Sequence, residues 1–117
     1  MKNALLVGIG AMIGAMARYL LLINLHMPPW TIAIINISGS FLIGIVAAFW
    51  TREDPRRLFV ATGILGGYTT YSTFSMDVVE QFQRREYLAA IGNVSLQTVG
   101  SIALCAIGFA IGLKLAS

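Results

Sequence analysis

The chain has 117 residues, 57% of them hydrophobic and 11% charged, with eight Lys and Arg against five Asp and Glu, a formal net charge of +3 and one cysteine. A soluble domain carries about a quarter charged residues, so water is excluded as the main solvent, and a lone Cys105 excludes a disulfide framework or a thiolate metal site within one chain. The basic excess sits in loop arginines such as Arg52, Arg56, Arg57, Arg84 and Arg85, where it flanks membrane spans and does not form a nucleic-acid patch.

Charge-free intervals run from Asn3 to Ala17, Tyr19 to Thr51, Leu58 to Met76 and Tyr87 to Leu113, and a bilayer core needs about 20 apolar residues per helix. The expectation is an all-α integral membrane protein with one domain, residues 1–117, whose four transmembrane helices cover about 4–25, 30–50, 58–81 and 87–114. Lys2 and the apolar run behind it resemble a signal peptide, but Arg18 interrupts the end of that run. The segment is read as a mature span.

Span one carries Gly10 and Gly14 as a G-x-x-x-G pair, followed by Ala15, Ala17 and Arg18, which implies close helix packing. Span two starts after Pro28 and Pro29 and is bracketed by Trp30 and Trp50. Twenty residues at 1.5 Å each give ~30 Å, one hydrocarbon thickness, so the two tryptophans read as interface anchors. Cys105, in span four, reads as a small packing residue. The loop of Arg52, Glu53, Asp54, Pro55, Arg56 and Arg57 is a polar turn.

Span three contains Gly63, Gly66 and Gly67 followed by Tyr68, Thr69, Thr70, Tyr71, Ser72, Thr73 and Phe74, all weaker helix formers than alanine or leucine. A break is expected there, at the bilayer midplane. Free backbone groups at that depth need partners: either the hydroxyls of Thr69, Thr70 and Thr73 satisfy a simple kink, or released carbonyls hold a hard cation such as Na⁺. Further on, Asp77, Glu80 and Arg84 lie at helical spacing near the surface, with Glu80 and Arg84 as an i,i+4 pair. Span four places Asn93, Ser95, Gln97, Thr98 and Ser101 in its first half.

The polar residues within the spans, Asn36, Ser38, Ser40, Ser72, Thr73, Ser75 and Ser101, are mostly donors, and no carboxylate falls between Leu58 and Met76 or inside the other spans. Such residues serve as interhelical hydrogen-bond glue, or as a donor track for a small dehydrated anion. Arg18 either snorkels to the interface or serves a polar path. Tyr71 and Phe74, three apart, either pack or turn positive ring edges toward an anion, and Phe41 has the same two readings.

Beyond these residue-level readings, several stretches carry a family pattern. Gly14-Ala15 with Arg18-Tyr19 is similar to G-A-x-x-R-Y, with Ala11 where a second glycine is common. Asn36, Gly39, Ser40, Phe41 and Gly44 are similar to N-x-x-G-S-F-x-x-G. Gly66-Gly67-Tyr68-Thr69-Thr70-Tyr71-Ser72-Thr73-Phe74 is similar to G-G-x-T-T-F-S-T-F, with Tyr71 where phenylalanine is usual. Over all four spans the sequence resembles the Fluc (CrcB) fluoride channels of microbes.

That resemblance implies an antiparallel, dual-topology homodimer in the cell (inner or plasma) membrane that lowers cytoplasmic fluoride by passive export and performs no bond chemistry. Two pores would run along the subunit interface, around one structural Na⁺ at the dimer centre. By motif position, the Gly66 and Thr69 carbonyls would hold the Na⁺. The fluoride path would use Asn36, Tyr71, Phe74, Ser72, Thr73 and Ser101, with Arg18 drawing anions into the vestibule. The charge pattern supports dual topology only in part. Lys2, Arg52, Arg56, Arg57 and Lys114 fall on one side, and Arg84 and Arg85 on the other. A proton-coupled multidrug transporter of the same architecture needs an intramembrane carboxylate, and none is present. A non-conducting assembly subunit, with its glycines and hydroxyls serving packing alone, is the other rival.

Overall fold

The computed structural model describes residues 1–117 and contains helices and turns only. Helix α1 is Lys2–Leu25 and α2 is Trp30–Phe49. Three consecutive pieces, Pro55–Arg57, Leu58–Leu65 and Gly66–Tyr68, form one helical run, called α3 here. After two extended residues, α4 is Tyr71–Gln83, and α5 is Tyr87–Ala116. Helices α1, α2 and α5 are each long and apolar enough to cross a membrane. Between α1 and α2, His26 takes a left-handed φ of 48° and the Pro28–Pro29 peptide is cis.

Local chemistry explains where the third unit starts. Asp54 accepts the Arg56 N–H at 2.9 Å, and Pro55 occupies the first helical position, where a missing N–H costs nothing. The Arg56 guanidinium also grips the same carboxylate at 2.8 Å. That side-chain bond, then the backbone N–H, holds the Asp54 carboxyl below its ordinary range. Arg56 lies over the Trp50 ring at 5.0 Å, and Arg57 donates to the Trp50 carbonyl at 2.9 Å. The loop therefore fastens the end of α2 to the start of α3. At the other end of the unit, Arg84 lies 3.8 Å from Glu80 and 3.1 Å from Glu86, exposed pairs that contribute little to stability.

Helices in a bilayer gain little from burying apolar surface against each other, so close approach and hydrogen bonds decide the packing. Two seams result. In the first, α1 lies on α3: a Cβ on Gly14 would overlap the carbonyl oxygen of Ile64, and Gly10 faces Gly63 so closely that a Cβ on either would sit 3.0 Å from the other's Cα. In the second, α2 lies on α5: a Cβ on Gly44 would overlap the Cys105 carbonyl, and one on Gly108 the Phe41 carbonyl. The Gly10–Gly14 pair thus meets the π-helical stretch Leu58–Leu65. The small buried apolar cluster is Ile32, Ile35 and Phe74, with Leu21, Leu22, Tyr68 and Val78 around it.

Candidate functional site

The site is built around Thr69 and Thr70. Thr69 has φ −83° and ψ 156°, and Thr70 has φ −149° and ψ 122°, so the chain is extended between α3 and α4. Two side chains stabilise this interruption. Asn36 donates from Nδ2 to the Thr70 carbonyl at 2.9 Å and accepts the Thr70 N–H on Oδ1 at 2.8 Å. Thr70 itself caps α4, its hydroxyl accepting the Thr73 N–H at 3.2 Å.

These bonds redirect two backbone donors. In a continuous helix the Thr70 N–H would close on the Gly66 carbonyl and the Thr73 N–H on the Thr69 carbonyl. With both N–H groups turned to side chains, the Gly66 and Thr69 carbonyls lose their helical donors. Arg18, one turn beyond Gly14 on α1, donates from Nη1 to the Thr69 carbonyl at 3.2 Å. A carbonyl oxygen has two lone pairs, so one remains. No group of three or more His, Cys, Asp or Glu side chains comes together to hold a metal. The acceptors that suit a hard cation are these carbonyls.

Beside the interruption lies an open groove of about 340 Å³, lined by Asn36, Ser40, Thr69, Thr70, Tyr71, Phe74, Gln97, Thr98, Ser101 and Ile102. One turn of α2 contributes two of its lining residues, Asn36 and Ser40. Asn36 clamps Thr70, Gly39 leaves room for the Thr69 methyl, which a Cβ there would overlap, and Ser40 faces the groove. Spacings of three and four put all three on one helix face. Tyr71 and Phe74 meet edge to face, with ring centroids 5.6 Å apart and planes at 75°. Phe74 is 8% exposed, whereas Tyr71 is 80% exposed on the outer side of the chain.

The CrcB-like protein family, Camphor Resistance (CrcB), matches residues 5–109. This chain belongs to that family. It is 44% identical over 114 residues to the fluoride-specific ion channel FluC of Bordetella petrii, covering 92% of this chain and 89% of the relative. It is 42% identical over 125 residues to that of Ruminiclostridium cellulolyticum, covering 99% and 93%. The FluC of Pseudomonas syringae pv. maculicola is 39% identical over 117 residues, covering 92% and 91%. With three helices long and apolar enough to span, this CrcB-family chain is a multi-pass membrane protein.

Of the site residues named from sequence, Asn36, Tyr71, Phe74 and Ser101 come together in the groove of this CrcB-family chain. Ser72 and Thr73 do not line it. Ser72 is exposed and shares a 3.3 Å contact with the Thr70 hydroxyl, and the Thr73 hydroxyl accepts from Thr70 at 3.3 Å. Arg18 is not a lining residue either; its bond to Thr69 draws it to the interruption. Gly66 is exposed just before the interruption, and Thr69 lies in it.

Ser40, one of the in-span donors, also lines the groove, and Gln97, Thr98 and Thr70 join it without having been named for the anion path. A signal for one of them was present. Asn93, Gln97 and Ser101 recur at spacings of four on α5, a polar stripe on one face of an otherwise apolar helix.

Proposed function

We propose that this chain is a fluoride-selective channel, working as an antiparallel homodimer in the cell membrane and passively exporting fluoride. The observation that carries this reading is the polar groove. It is lined by hydroxyls, amides and the edge-to-face pair Tyr71 and Phe74, contains no carboxylate, and opens on the outside of a chain whose long helices are largely apolar. Backbone and hydroxyl groups at membrane depth are not left facing lipid, so a second copy closing the groove accounts for its openness and for Tyr71, 80% exposed. Such a path gives donors and ring edges to a small anion that has shed its water, and a larger anion does not fit it. The named relatives, fluoride-specific ion channels, support the same reading.

Thr69 and Gly66 would hold a structural Na⁺ at the dimer centre through carbonyls that have lost their helical donors. When bound, the ion supplies a fixed positive charge at the interruption. Arg18, donating to Thr69, adds a second positive charge beside the path, which favours anions over cations. Ser72 and Thr73, next to the groove on the first turn of α4, extend the hydroxyl track outward.

Export is tested in a fluoride-sensitive bacterium lacking an exporter of its own, grown in mildly acidic fluoride medium. There HF enters and dissociates inside the cell. The wild-type chain should restore growth, and Phe74→Ile, which replaces a ring edge by an aliphatic branch, should not. Absence of protection from wild-type chain shown to be in the membrane refutes export. Dual topology has its own test: Lys2→Cys in a Cys105→Ser background should react with a membrane-impermeant thiol reagent from both faces of sealed vesicles, and labelling from one face alone contradicts it.

A further inference from the structure

Asn36 has no hydrogen left for an anion. Its Nδ2 carries two; the Thr70 carbonyl takes one at 2.9 Å and Gln97 Oε1 the other at 2.7 Å. The assignment of oxygen and nitrogen in this side chain is not free. Thr70 presents both a backbone N–H and a backbone C=O to it, and a backbone amide cannot exchange the two, so Oδ1 must face the N–H and Nδ2 the carbonyl.

The orientation then passes along a row of buried amides. Gln97 must present its oxygen to Asn36, so its nitrogen goes to Asn93 Oδ1 at 2.8 Å, and Asn93 Nδ2 goes to Gln81 Oε1 at 3.1 Å. Gln97 is 4% exposed, Asn93 0% and Gln81 1%. Gln97 Nε2 also carries two hydrogens, and only the bond to Asn93 uses one. Gln97 lines the groove; Asn93 and Gln81 do not. Of the two side-chain amides that line the groove, Gln97 alone keeps an uncommitted hydrogen.

We propose that Gln97 supplies the amide N–H that meets the anion in the groove, and that Asn36 is a positioning residue that holds the Thr69–Thr70 interruption and aims Gln97. The inference rests on the fluoride reading. A small anion with concentrated charge needs strong donors already pointing at it, because it gives up water to enter. Gln97 meets both needs: its neighbours fix its direction, and the bond its oxygen accepts from Asn36 polarises the same amide and strengthens the remaining N–H. An unbranched amide on α5 also reaches the same groove as the Ser101 hydroxyl one turn away.

The test compares fluoride efflux from liposomes holding wild type, Gln97→Met or Gln81→Met, with dimer content and Tm measured on each. Gln97→Met keeps the length of the side chain and removes the donor. Efflux should fall at least about tenfold, the factor that one hydrogen bond to a charged group carries. Gln81→Met breaks the buried row outside the groove, at a residue that does not touch Gln97, and leaves Gln97 tied to both Asn36 and Asn93. Its Tm should fall while efflux stays within about threefold of wild type, less than one such bond. Should Gln81→Met fail to fold, Gln81→Leu removes the same rung with a smaller side chain, with the same expectation.

Equal loss of efflux in the groove variant and the row variant would mean that the amides only stabilise the fold, and would overturn the proposal. Wild-type efflux from Gln97→Met would overturn it as well. Wild-type protein that releases no fluoride refutes the channel reading itself, before either variant is read.

Discussion

Asn36→Ala is expected to lower fluoride efflux at least about tenfold and to destabilise the fold, because it strips the Thr70 N–H, the Thr70 carbonyl and Gln97 Oε1 of a partner at once. A buried polar group left bare costs about 1–3 kcal/mol. The three costs do not simply add, and the groove admits water, so the low end of that range applies to each. Without the clamp, the Thr70 N–H is released to close on the Gly66 carbonyl, and α3 and α4 move toward one continuous helix. The isosteric Asn36→Asp is the sharper variant. It still accepts the Thr70 N–H but has no hydrogen for the Thr70 carbonyl or for Gln97, and it places a negative charge beside the groove. Efflux lost in Asn36→Ala, which adds no charge, as well as in Asn36→Asp would show that the clamp made by Asn36 matters. Wild-type efflux from both variants would remove Asn36 from the account.

Gly14→Ala should yield little folded protein, whereas Gly8→Ala should be at least as stable as wild type. The two substitutions are chemically identical and lie on the same helix. At Gly14 the added methyl would overlap the Ile64 carbonyl and lie 2.7 Å from the Tyr68 N–H nitrogen, while at Gly8 nothing lies within 4 Å. The obstacle at Gly14 is backbone, which no side-chain rotation can clear, so α1 must lift from α3. Overpacking of this kind costs about 1–3 kcal/mol or more. It also moves Arg18, one turn along, away from the Thr69 carbonyl. Alanine at Gly8 gains about 0.5–1 kcal/mol of helix preference with no contact disturbed. The yield of monodisperse protein in detergent and its Tm decide the matter. Equal behaviour of the two variants would contradict the α1–α3 seam.

Features set by local chemistry were legible in the amino-acid sequence. Apolar length placed the three long helices to within a few residues, and Gly10 and Gly14 announced a close crossing, although not that its partner would be the stretch around Ile64. Asn36, Gly39 and Ser40 could be singled out as a motif, and the structure puts them on one helix face beside Thr70. What depends on two helices meeting was not legible. Gln81 stands in the sequence only as the last residue of the expected third span, yet it is buried against Asn93, because the tight turn at Arg84 to Glu86 folds α5 back along α4. The π-helical winding of Leu58–Leu65 has no compositional mark, since its residues suit an ordinary helix equally well. Arg18 had two readings, snorkelling or drawing anions into a vestibule; its bond to a carbonyl freed by Asn36 and Thr70 depends on contacts across three elements.

The central claim is that the groove beside Thr70 carries fluoride and rejects chloride. Purified protein in liposomes, loaded with both anions and released from charge build-up by a potassium ionophore, puts it to the test with one fluoride and one chloride electrode. Fast fluoride release without chloride release is the predicted result. Release of both anions at similar rates would contradict selectivity, and release of neither from liposomes shown to contain folded dimer would contradict conduction and leave a non-conducting assembly role as the better account.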